Sequence, residues 1–302
     1  MKNIVVVGSL NMDLVLKVDR LPKIGETLQG DNINYLIGGK GSNQAVAAAR
    51  LKNNVSIIGA VGADTFGDKL LKHIGEEKIN IESVKKEEAS FTGIATIFKT
   101  PEDNSIVVIP GANDLCDIDL VEEYRAIIKN AEVLVTQFEI PTATVKRALA
   151  IAKEYGVKTI VNPAPAKEID DEILNNSDFI TPNETEFEII SNKSLQDHSE
   201  LEAEMIRWQN EHSTRLIVTR GSMGVSFVDN GQVVTVKCIK VEAVDTTGAG
   251  DTFNGALAHC IANKIDLKEA VDFSSRAASL SVTKFGAQTG MPTLEEVNNT
   301  FK

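Results

Sequence analysis

The sequence Glu132-Val133-Leu134-Val135-Thr136 is followed by Thr142–Tyr155 and then by Lys158-Thr159-Ile160-Val161-Asn162, and this succession is the strongest indication of the fold. The two apolar, β-branched runs predict buried strands, and the segment between them has the period of a helix. Further short strand-like runs follow at Phe179–Thr181 and Leu216–Thr219. Strands that alternate with helices along the chain predict an α/β fold, in which helices cover a mostly parallel sheet.

The amino-terminal part adds one strand to this sheet and two segments that do not fit it. Asn3–Val7 fits as a further strand. Leu14–Ile37 has the composition of extended segments joined by turns, and a hairpin of Ile94–Lys99 and Ser105–Ile109 is expected around Pro101–Asn104. We expect these strands to form a small second sheet, and two separate surface hairpins are the alternative. A small sheet needs a partner for one face, which substrate, the main domain or a second subunit could supply.

The overall composition excludes several functions. The chain has 302 residues, 42% hydrophobic and 25% charged, with a formal net charge of -12. That charge repels nucleic acid and anionic membranes, so neither is expected as a partner, and any nucleotide site must supply its own positive potential. Cys116, Cys238 and Cys260 are odd in number and form no CxxC pair, which argues against disulfides and a zinc site. We expect no membrane span and a cytoplasmic location.

Polar residues or glycines follow every predicted strand of the main sheet. In an open parallel sheet, ligands bind beyond the carboxyl ends of the strands. The sequence therefore predicts one polar site built from five strand ends. These are Gly8–Asp13, Gln137–Glu139, Asn162–Pro165, Thr181–Glu186 and Thr219–Gly224.

The sharpest motif is Asp245-Thr246-Thr247-Gly248-Ala249-Gly250-Asp251-Thr252-Phe253, which leads into the helix-like segment Asn254–Ala262. A glycine turn that opens a helix presents free N–H groups and the positive end of the helix dipole to an anion. Asp251 falls in the first helical turn, where a carboxylate is favoured. The alternative is that Asp251 only caps the helix, but a cap does not require the preceding Gly-Ala-Gly.

A second glycine cluster, Gly38-Gly39-Lys40-Gly41-Ser42-Asn43-Gln44, precedes the predicted helix Ala45–Leu51. Lys40 and Asn43 could donate hydrogen bonds to a polyhydroxyl ligand, or the cluster could be only a helix end and a turn. Neither GxxxxGK[ST] nor GxGxxG occurs in the sequence. The absence of the first motif argues against a P-loop. The absence of the second makes a nicotinamide dehydrogenase the weakest of the candidate functions.

Both glycine motifs resemble those of the PfkB, or ribokinase-like, carbohydrate kinases. Short elements between and after them match in order, including Asn162–Ala166, Pro182–Glu186 and Gly286-Ala287-Gln288. The resemblance implies a three-layer α/β/α sandwich whose mostly parallel sheet has nine or so strands. It also implies a single domain over residues 1–302, with a small β-sheet lid formed by about 14–37 and 92–109.

The resemblance assigns a role to each residue of the predicted site. The catalytic base is Asp251, and the anion hole around the transferred phosphoryl is Gly248, Ala249 and Gly250. The sugar-binding positions are Asn11, Asp13, Gly39, Lys40, Asn43, Glu139 and Asp251. The ATP-binding positions are Asn183, Glu186, Thr219, Arg220, Gly221, Ser222, Met223, Gly224 and Gly250, with Glu186 also helping to organise Mg²⁺. The loops that hold a monovalent cation, K⁺, contain Asp245, Thr247, Ser281, Lys284, Gly286 and Gly290, and at Gly290 relatives usually carry a serine.

The implied reaction is transfer of the γ-phosphoryl of ATP to O5 of D-ribose, giving D-ribose 5-phosphate and ADP. Asn11 and Asp13 fit the members that act on ribose, whereas members that act on 2-deoxyribose tend to have an apolar residue at the first position. A kinase for 2-deoxyribose, fructose or a nucleoside stays open, as does a non-catalytic sugar or nucleotide sensor. An aspartate with an ordinary pKa of about 3.9 is ionised at neutral pH, so the base requires no shift. The resemblance also implies a homodimer in which two lids clasp each other.

Overall fold

The computed structural model describes residues 1–102 and 104–300. Over these residues the chain forms a nine-stranded sheet and a four-stranded sheet. The strands are β1 (Asn3–Val7), β2 (Asn11–Lys17), β3 (Asn32–Gly38), β4 (Asn54–Gly62), β5 (Val84–Glu87), β6 (Gly93–Lys99), β7 (Asn104–Ile109), β8 (Val133–Thr136), β9 (Lys158–Val161), β10 (Phe179–Ile180), β11 (Arg215–Thr219), β12 (Val225–Asp229) and β13 (Gln232–Val236). The helices are α1 (Lys40–Arg50), α2 (Thr65–Glu76), α3 (Ile118–Glu123), α4 (Arg125–Lys129), α5 (Thr142–Tyr155), α6 (Asp171–Asn175), α7 (Glu184–Ser191), α8 (His198–Glu211), α9 (Ala249–Ala262), α10 (Leu267–Ser281) and α11 (Leu294–Asn299).

The large sheet has the strand order β13-β12-β11-β10-β9-β8-β1-β4-β5. Its pairs are parallel from β5 to β11, and β12 and β13 add an antiparallel edge. The predicted α/β fold with a mostly parallel sheet is therefore confirmed. The sequence patterns do not indicate β4, β5, β12 or β13.

Helices cover both faces of the large sheet. Along β1, Ile4 and Val6 pack into one buried cluster, which includes residues of α1 and α9, while Val5 and Val7 pack into another, which includes residues of α5. This alternation follows from the period of two along a strand. Among the residues described, every helix is too short or too polar to cross a bilayer.

The smaller sheet has the order β3-β2-β6-β7. Its central pair, β2 and β6, is parallel, and this pair joins the two predicted hairpin regions into one sheet. A small second sheet is thus confirmed, and two separate hairpins are excluded. β2 begins at Asn11, three residues before the predicted Leu14, because it also pairs with the end of β3 at Gly38. The predicted turn Pro101–Asn104 includes Asp103, which lies outside the described residues.

The two faces of the smaller sheet differ in chemistry. Asn11 and Asp13 are two residues apart on β2 and therefore lie on one face. On the opposite face, Tyr35 of β3 and Val107 of β7 stand in one cross-strand row, with Leu14 and Thr96 between them. Tyr35 and Val107 are each 55% exposed. This second face is therefore an apolar surface open to solvent, and we call it the outer face.

Helices α1 and α9 cross closely, and this crossing positions the site. A β-carbon on Gly255 of α9 would lie 2.5 Å from Ala47 Cβ and 2.8 Å from Gln44 O, so a glycine is needed there. The prediction that α1 begins at Ala45 is wrong: it begins at Lys40. Glycine, serine and asparagine are weak helix formers, but the carboxylate of Glu139 accepts a hydrogen bond from Lys40 N and so caps the earlier start.

Candidate active site

Asp251 lies in the first turn of α9, directly after a glycine turn. Gly248 precedes the helix with φ 79°, a left-handed conformation that favours glycine. The Asp251 carboxylate is buried, and Asn43 Nδ2 donates to Oδ2 at 2.9 Å while Gln44 Nε2 donates to Oδ1 at 3.0 Å. Both donors come from the start of α1. A carboxylate held by two neutral donors is restricted to one orientation but keeps lone pairs with which to accept a proton.

Burial raises the pKa of Asp251. The charge of Lys40 and the hydrogen bonds from Asn43 and Gln44 act in the opposite direction, without cancelling the effect of burial. This differs from the expectation of an ordinary pKa. A raised pKa makes the carboxylate a stronger base, which suits a group that must take a proton from a hydroxyl.

Amide side chains hold the two donors of Asp251 in place. Gln44 Oε1 accepts from Gln137 Nε2 at 2.7 Å, and Gln44 Nε2 also contacts Asn162 Oδ1 at 3.1 Å. Asn43 Oδ1 accepts from Gln288 Nε2 at 2.9 Å. Gln137 and Asn162 follow predicted strands, so their place at the polar end of the sheet was indicated, but no role was assigned to them. No sequence signal connected Gln288 with Asn43, because 245 positions separate them.

The start of α9 presents N–H groups to the space beside Asp251. Among the described residues, none accepts a hydrogen bond from the backbone N of Gly248 or Gly250. Ala249 N donates to Thr246 O at 3.3 Å, a long bond, so its N–H is partly engaged. A β-carbon on Gly250 would meet nothing within 4 Å. Open space next to unpaired helix-start donors fits an anionic group such as a phosphoryl.

Asn11 and Asp13 approach the site from the smaller sheet. Both are buried, and Asn11 Oδ1 accepts from Asn113 Nδ2 at 2.7 Å. Burial raises the pKa of Asp13 to about 7, and the negative charges of Glu139 and Asp251 add to this effect. Lys40 opposes it without reversing it. These mutual influences bring residues of the smaller sheet, of α1, of the loop after β8 and of α9 into one electrostatic cluster.

Lys40 is the cation of this cluster. Burial alone would lower its pKa, but the surrounding carboxylates raise it. These carboxylates belong to Asp251, Glu139, Glu186 and Asp13. Lys40 is therefore protonated and offsets part of the negative charge. Gly39 lies immediately before α1, and Glu139 Oε2 accepts from Ser9 Oγ at 2.6 Å and from Lys40 N at 3.0 Å.

The predicted nucleotide residues Asn183 and Glu186 form a capping box at the start of α7. Asn183 Oδ1 accepts from Glu186 N, and Glu186 Oε2 accepts from Asn183 N, both at 2.8 Å. Thr219 lies beside Asn183 through an isolated β-bridge. Burial raises the pKa of Glu186, while the charge of Lys40 lowers it and that of Asp251 raises it further. Glu186 therefore interacts with the electrostatic cluster that contains Lys40 and Asp251.

The loop after β11 combines an open turn with one side chain that points inward. Gly221–Met223 form an exposed 3-10 turn, followed by Gly224 with φ 103°. Arg220 was predicted to bind nucleotide, but its side chain is buried. Its guanidinium donates to Glu184 Oε1 at 3.2 Å and to Ser226 Oγ at 3.1 Å. The structure therefore does not bring this guanidinium to the surface where a nucleotide would lie.

The predicted cation loops lie next to each other. Asp245 Oδ1 accepts from Thr247 N at 3.0 Å, and Asp245 Oδ2 accepts from Gly286 N at 2.9 Å. Burial would raise the pKa of Asp245, but the bonds from Gly286 and Thr247 outweigh it and hold the pKa below its usual value. These hydrogen bonds fix the Asp245 carboxylate between the two loops, and the backbone carbonyls of the same loops are further oxygen atoms that could bind an ion.

Lys284 and Gly290 have no side-chain oxygen to offer a cation, and the hydroxyl of Ser281 is already engaged in a hydrogen bond. The Ser281 hydroxyl donates to Ala278 O at 2.8 Å, and Lys284 is exposed. A β-carbon on Gly290 would lie 1.8 Å from Ser281 O, so this backbone has no room for the serine that relatives usually carry. Within the described part of the chain, no group of three or more His, Cys, Asp or Glu side chains could hold a metal ion.

A buried carboxylate lies beside open space at unpaired helix-start N–H groups, in one electrostatic cluster with a side chain of the second sheet, which fits an enzyme that phosphorylates a hydroxyl group. The chain belongs to the pfkB family of carbohydrate kinases, whose model matches residues 1–294. It is 41% identical over 304 residues to a protein from Lactococcus lactis named Ribokinase, a match that covers 100% of this chain and 98% of that protein.

Two further relatives bear on the sugar. A protein from Salmonella typhi named Deoxyribokinase is 35% identical over 298 residues, with 98% of this chain and 97% of that protein covered. Among solved structures, the ribokinase of Arabidopsis thaliana complexed with ribose and ATP matches with a TM-score of 0.91 and 29% identity. That match covers 100% of this chain and 99% of the other. The fold is therefore that of the ribokinases.

Proposed function

We propose that this chain is a kinase that transfers the γ-phosphoryl of ATP to O5 of D-ribose, giving D-ribose 5-phosphate and ADP. The observation that carries the proposal is the position of Asp251, held by Asn43 and Gln44 beside the free N–H groups of the α9 start. The full-length similarity to proteins named Ribokinase, and to a ribokinase structure with ribose and ATP, supports ribose and ATP as the substrates.

Asp251 acts as the base. It accepts the proton of the sugar hydroxyl as the bond between O5 and the γ-phosphorus forms, and the bond from that phosphorus to the β-γ bridging oxygen breaks, so that ADP leaves. Phosphoryl transfer depends mainly on alignment and on neutralising the charge of the moving group. The N–H groups of Gly248 and Gly250 face that charge, and one such donor is worth about 3 kcal/mol.

The residues around Glu186 fit Mg²⁺ that arrives with ATP. This ion is bound by one or two carboxylates together with substrate phosphates and several waters, so a preformed ligand cluster is not required. Glu186 Oε2 is engaged by Asn183 N, and its other oxygen accepts no hydrogen bond from any described residue. When bound, Mg²⁺ would neutralise charge on the β- and γ-phosphates. We propose that Thr219 and the Gly221–Gly224 loop hold the nucleotide through their backbone, with Arg220 bracing the loop from inside.

We also propose a K⁺ site formed by carbonyls of the loops around Asp245 and Gly286. These loops are joined directly, because the backbone N of Val244 and of Asp245 both donate to Val282 O. The same segment leads to Gln288, which holds Asn43 and thereby Asp251. An ion that orders these loops would consequently steady the base and the N–H groups beside it.

Assembly and location complete the proposal. We propose that residues 1–302 are one kinase domain and that the smaller sheet is its lid, which carries Asn11 and Asp13 towards the base. The outer face of this sheet is apolar, and Ile109 at its edge is 47% exposed. A large exposed apolar sheet face is typical of a subunit interface, so we propose a homodimer joined through the two lids. Because the reaction consumes ATP, we place the chain in the cytoplasm.

One assay tests this function. ADP release is measured with ribose, 2-deoxyribose, fructose and adenosine, with and without Mg²⁺. We expect ribose to give the highest kcat/KM. A preference for 2-deoxyribose would instead support the activity named for the Salmonella relative, and ribose binding without ADP release would indicate a sensor.

A further inference from the structure

Asn113 is a buried residue outside the predicted sugar site that contacts one of its members. It lies in the 3-10 turn Gly111–Leu115, directly after β7, and is 1% exposed. Its oxygen accepts from Leu10 N at 2.9 Å. Its Nδ2 lies 2.7 Å from Asn11 Oδ1, 3.2 Å from Leu10 O and 3.0 Å from Pro110 O. Asn113 thus joins this turn to the start of β2.

These partners allow Asn113 only one amide orientation. A backbone N–H can only donate, and a backbone carbonyl can only accept. Leu10 N therefore requires the Asn113 oxygen, and the carbonyls of Leu10 and Pro110 require its nitrogen. If the amide were reversed, its oxygen would face two carbonyl oxygens and its NH₂ would face an N–H. The orientation of the Asn113 amide is therefore set by backbone groups and not by a bound ligand.

The fixed orientation of Asn113 is passed on to Asn11. Because Asn113 presents NH₂, Asn11 must turn its oxygen towards Asn113. The other polar group of the Asn11 side chain is its NH₂, which donates to no described residue. The polar group of Asn11 that is still without a partner is therefore a hydrogen-bond donor, whereas its oxygen is already engaged by Asn113. Asp13, on the same face of β2, offers an acceptor when it is ionised.

We infer that Asn113 is a positioning residue that makes Asn11 a hydrogen-bond donor and so selects a sugar with an accepting hydroxyl at C2; this rests on the proposed function. A hydroxyl both donates and accepts, so neighbouring hydroxyls of ribose complement a donor at Asn11 and an acceptor at Asp13. A 2-deoxy sugar leaves the NH₂ of Asn11 unpaired. An unpaired buried donor is costly, so selection for ribose depends on a residue that the sugar does not touch.

The test is the ratio of kcat/KM for ribose to that for 2-deoxyribose. Asn113→Ala releases the Asn11 amide, and we expect the ratio to fall at least threefold. The same change made together with Asn11→Met should leave the ratio within twofold of that of Asn11→Met alone, because the residue through which Asn113 acts is gone. Loss of stability alone would lower both rates together and leave the ratio unchanged. An unchanged ratio in a folded Asn113→Ala variant overturns the inference.

A second measurement uses the unaltered chain, in case Asn113→Ala does not fold. The probe is 2-deoxy-2-fluoro-D-ribose, whose fluorine can accept a hydrogen bond but cannot donate one. If Asn11 donates, kcat/KM should be at least three times higher for this sugar than for 2-deoxyribose. A rate equal to or below that with 2-deoxyribose contradicts the inference. Failure of the proposed function would look different, since the unaltered chain would then not turn over ribose or would prefer 2-deoxyribose.

Discussion

Asn43 Nδ2 lies 2.9 Å from Asp251 Oδ2, a hydrogen bond that joins the first turns of two helices 208 positions apart in the chain. Asn43 can hold this orientation because Gln288 donates to its oxygen. The base is therefore supported by residues from the amino- and carboxyl-terminal parts of the chain. It follows that changes far from Asp251 in sequence can alter its reactivity.

Asp251→Asn should lower kcat by several orders of magnitude while the fold and ATP binding persist. The amide has a similar shape but cannot accept the proton of the sugar hydroxyl. Steady-state kinetics and nucleotide binding by calorimetry measure the two effects. Asp229→Asn, at the exposed β12–β13 hairpin, is the matched control and should behave like the unaltered chain. Turnover within tenfold of the unaltered chain would remove Asp251 from the mechanism.

Ribose binding should weaken as the pH falls below the pKa of Asp13, which is about 7. At pH 6 about a tenth of this group is ionised, and only the ionised carboxylate accepts from two hydroxyls. We expect calorimetry without ATP to show Kd rising by up to about tenfold between pH 8 and pH 6. Asp251→Asn should keep this dependence but shift it to lower pH, because the charge of Asp251 helps to raise the pKa of Asp13, and Asp13→Asn should lose most of it. The same pH dependence in Asp13→Asn would assign it to another group.

The same raised pKa has a consequence for stability. The folded chain keeps the Asp13 proton up to about pH 7, whereas the unfolded chain loses it near the ordinary value of 3.8. The stabilisation from this proton is therefore complete below about pH 3.8 and is lost as the pH rises to about 7. Asp13→Asn should accordingly raise Tm more at pH 8 than at pH 5, as measured by thermal unfolding. A gain that is larger at pH 5 would contradict this sign.

Ribose should exceed 2-deoxyribose by at least about tenfold in kcat/KM, since an unpaired buried donor costs roughly 1–3 kcal/mol. Asn11→Met should narrow the gap mainly by slowing ribose. Asp13→Asn should slow both sugars, because a charged acceptor is lost. Steady-state assays with the two sugars decide the matter. The explanation fails if Asn11→Met slows both sugars equally.

Potassium should activate the enzyme, although half-activation is expected at a higher concentration than in relatives with a serine at position 290. Gly290→Ser should not improve this, because its β-carbon would approach Ser281 O to 1.8 Å. We expect a lower Tm and no gain in K⁺ affinity. The measurements are rates in potassium-only, sodium-only and cation-depleted buffers at constant Mg²⁺. Equal rates in all three would count against the site.

Val107→Lys should dissociate the proposed dimer, because it places a charge on the outer face, on the edge strand β7, where Val107 is 55% exposed. Ile189→Lys on α7 is the matched control, since Ile189 is 41% exposed but lies on a different surface. Light scattering at micromolar concentration should report a monomer for the first variant and a dimer for the second. A fully active monomer of the unaltered chain would contradict the lid-to-lid assembly.

Local patterns predicted the parts of the structure that local chemistry determines. The alternation from Glu132 to Thr219 placed β8, β9, β10 and β11, and the glycine turn placed Asp251 at a helix start. β4 was missed although its residues are almost all buried, because an apolar run without polar alternation carries no clear period. The start of α1 was misplaced because its cap, Glu139, lies 99 positions away. The roles of Asn113 and Gln288 likewise arise only from contacts across the folded chain.

Asn11 and Asp13 lie on one short strand of the smaller sheet, whereas Asp251 and the free N–H groups lie on α9. Recognition and chemistry are thus carried by separate pieces of backbone. A change at Asn11 can alter which alcohol is accepted while Asp251 keeps its hydrogen bonds from Asn43 and Gln44. Because of this separation, sugar specificity can evolve by exchange of a few strand residues. When a kinase of this fold is redesigned for another sugar, β2 and the Asn113 that supports it should be transferred together.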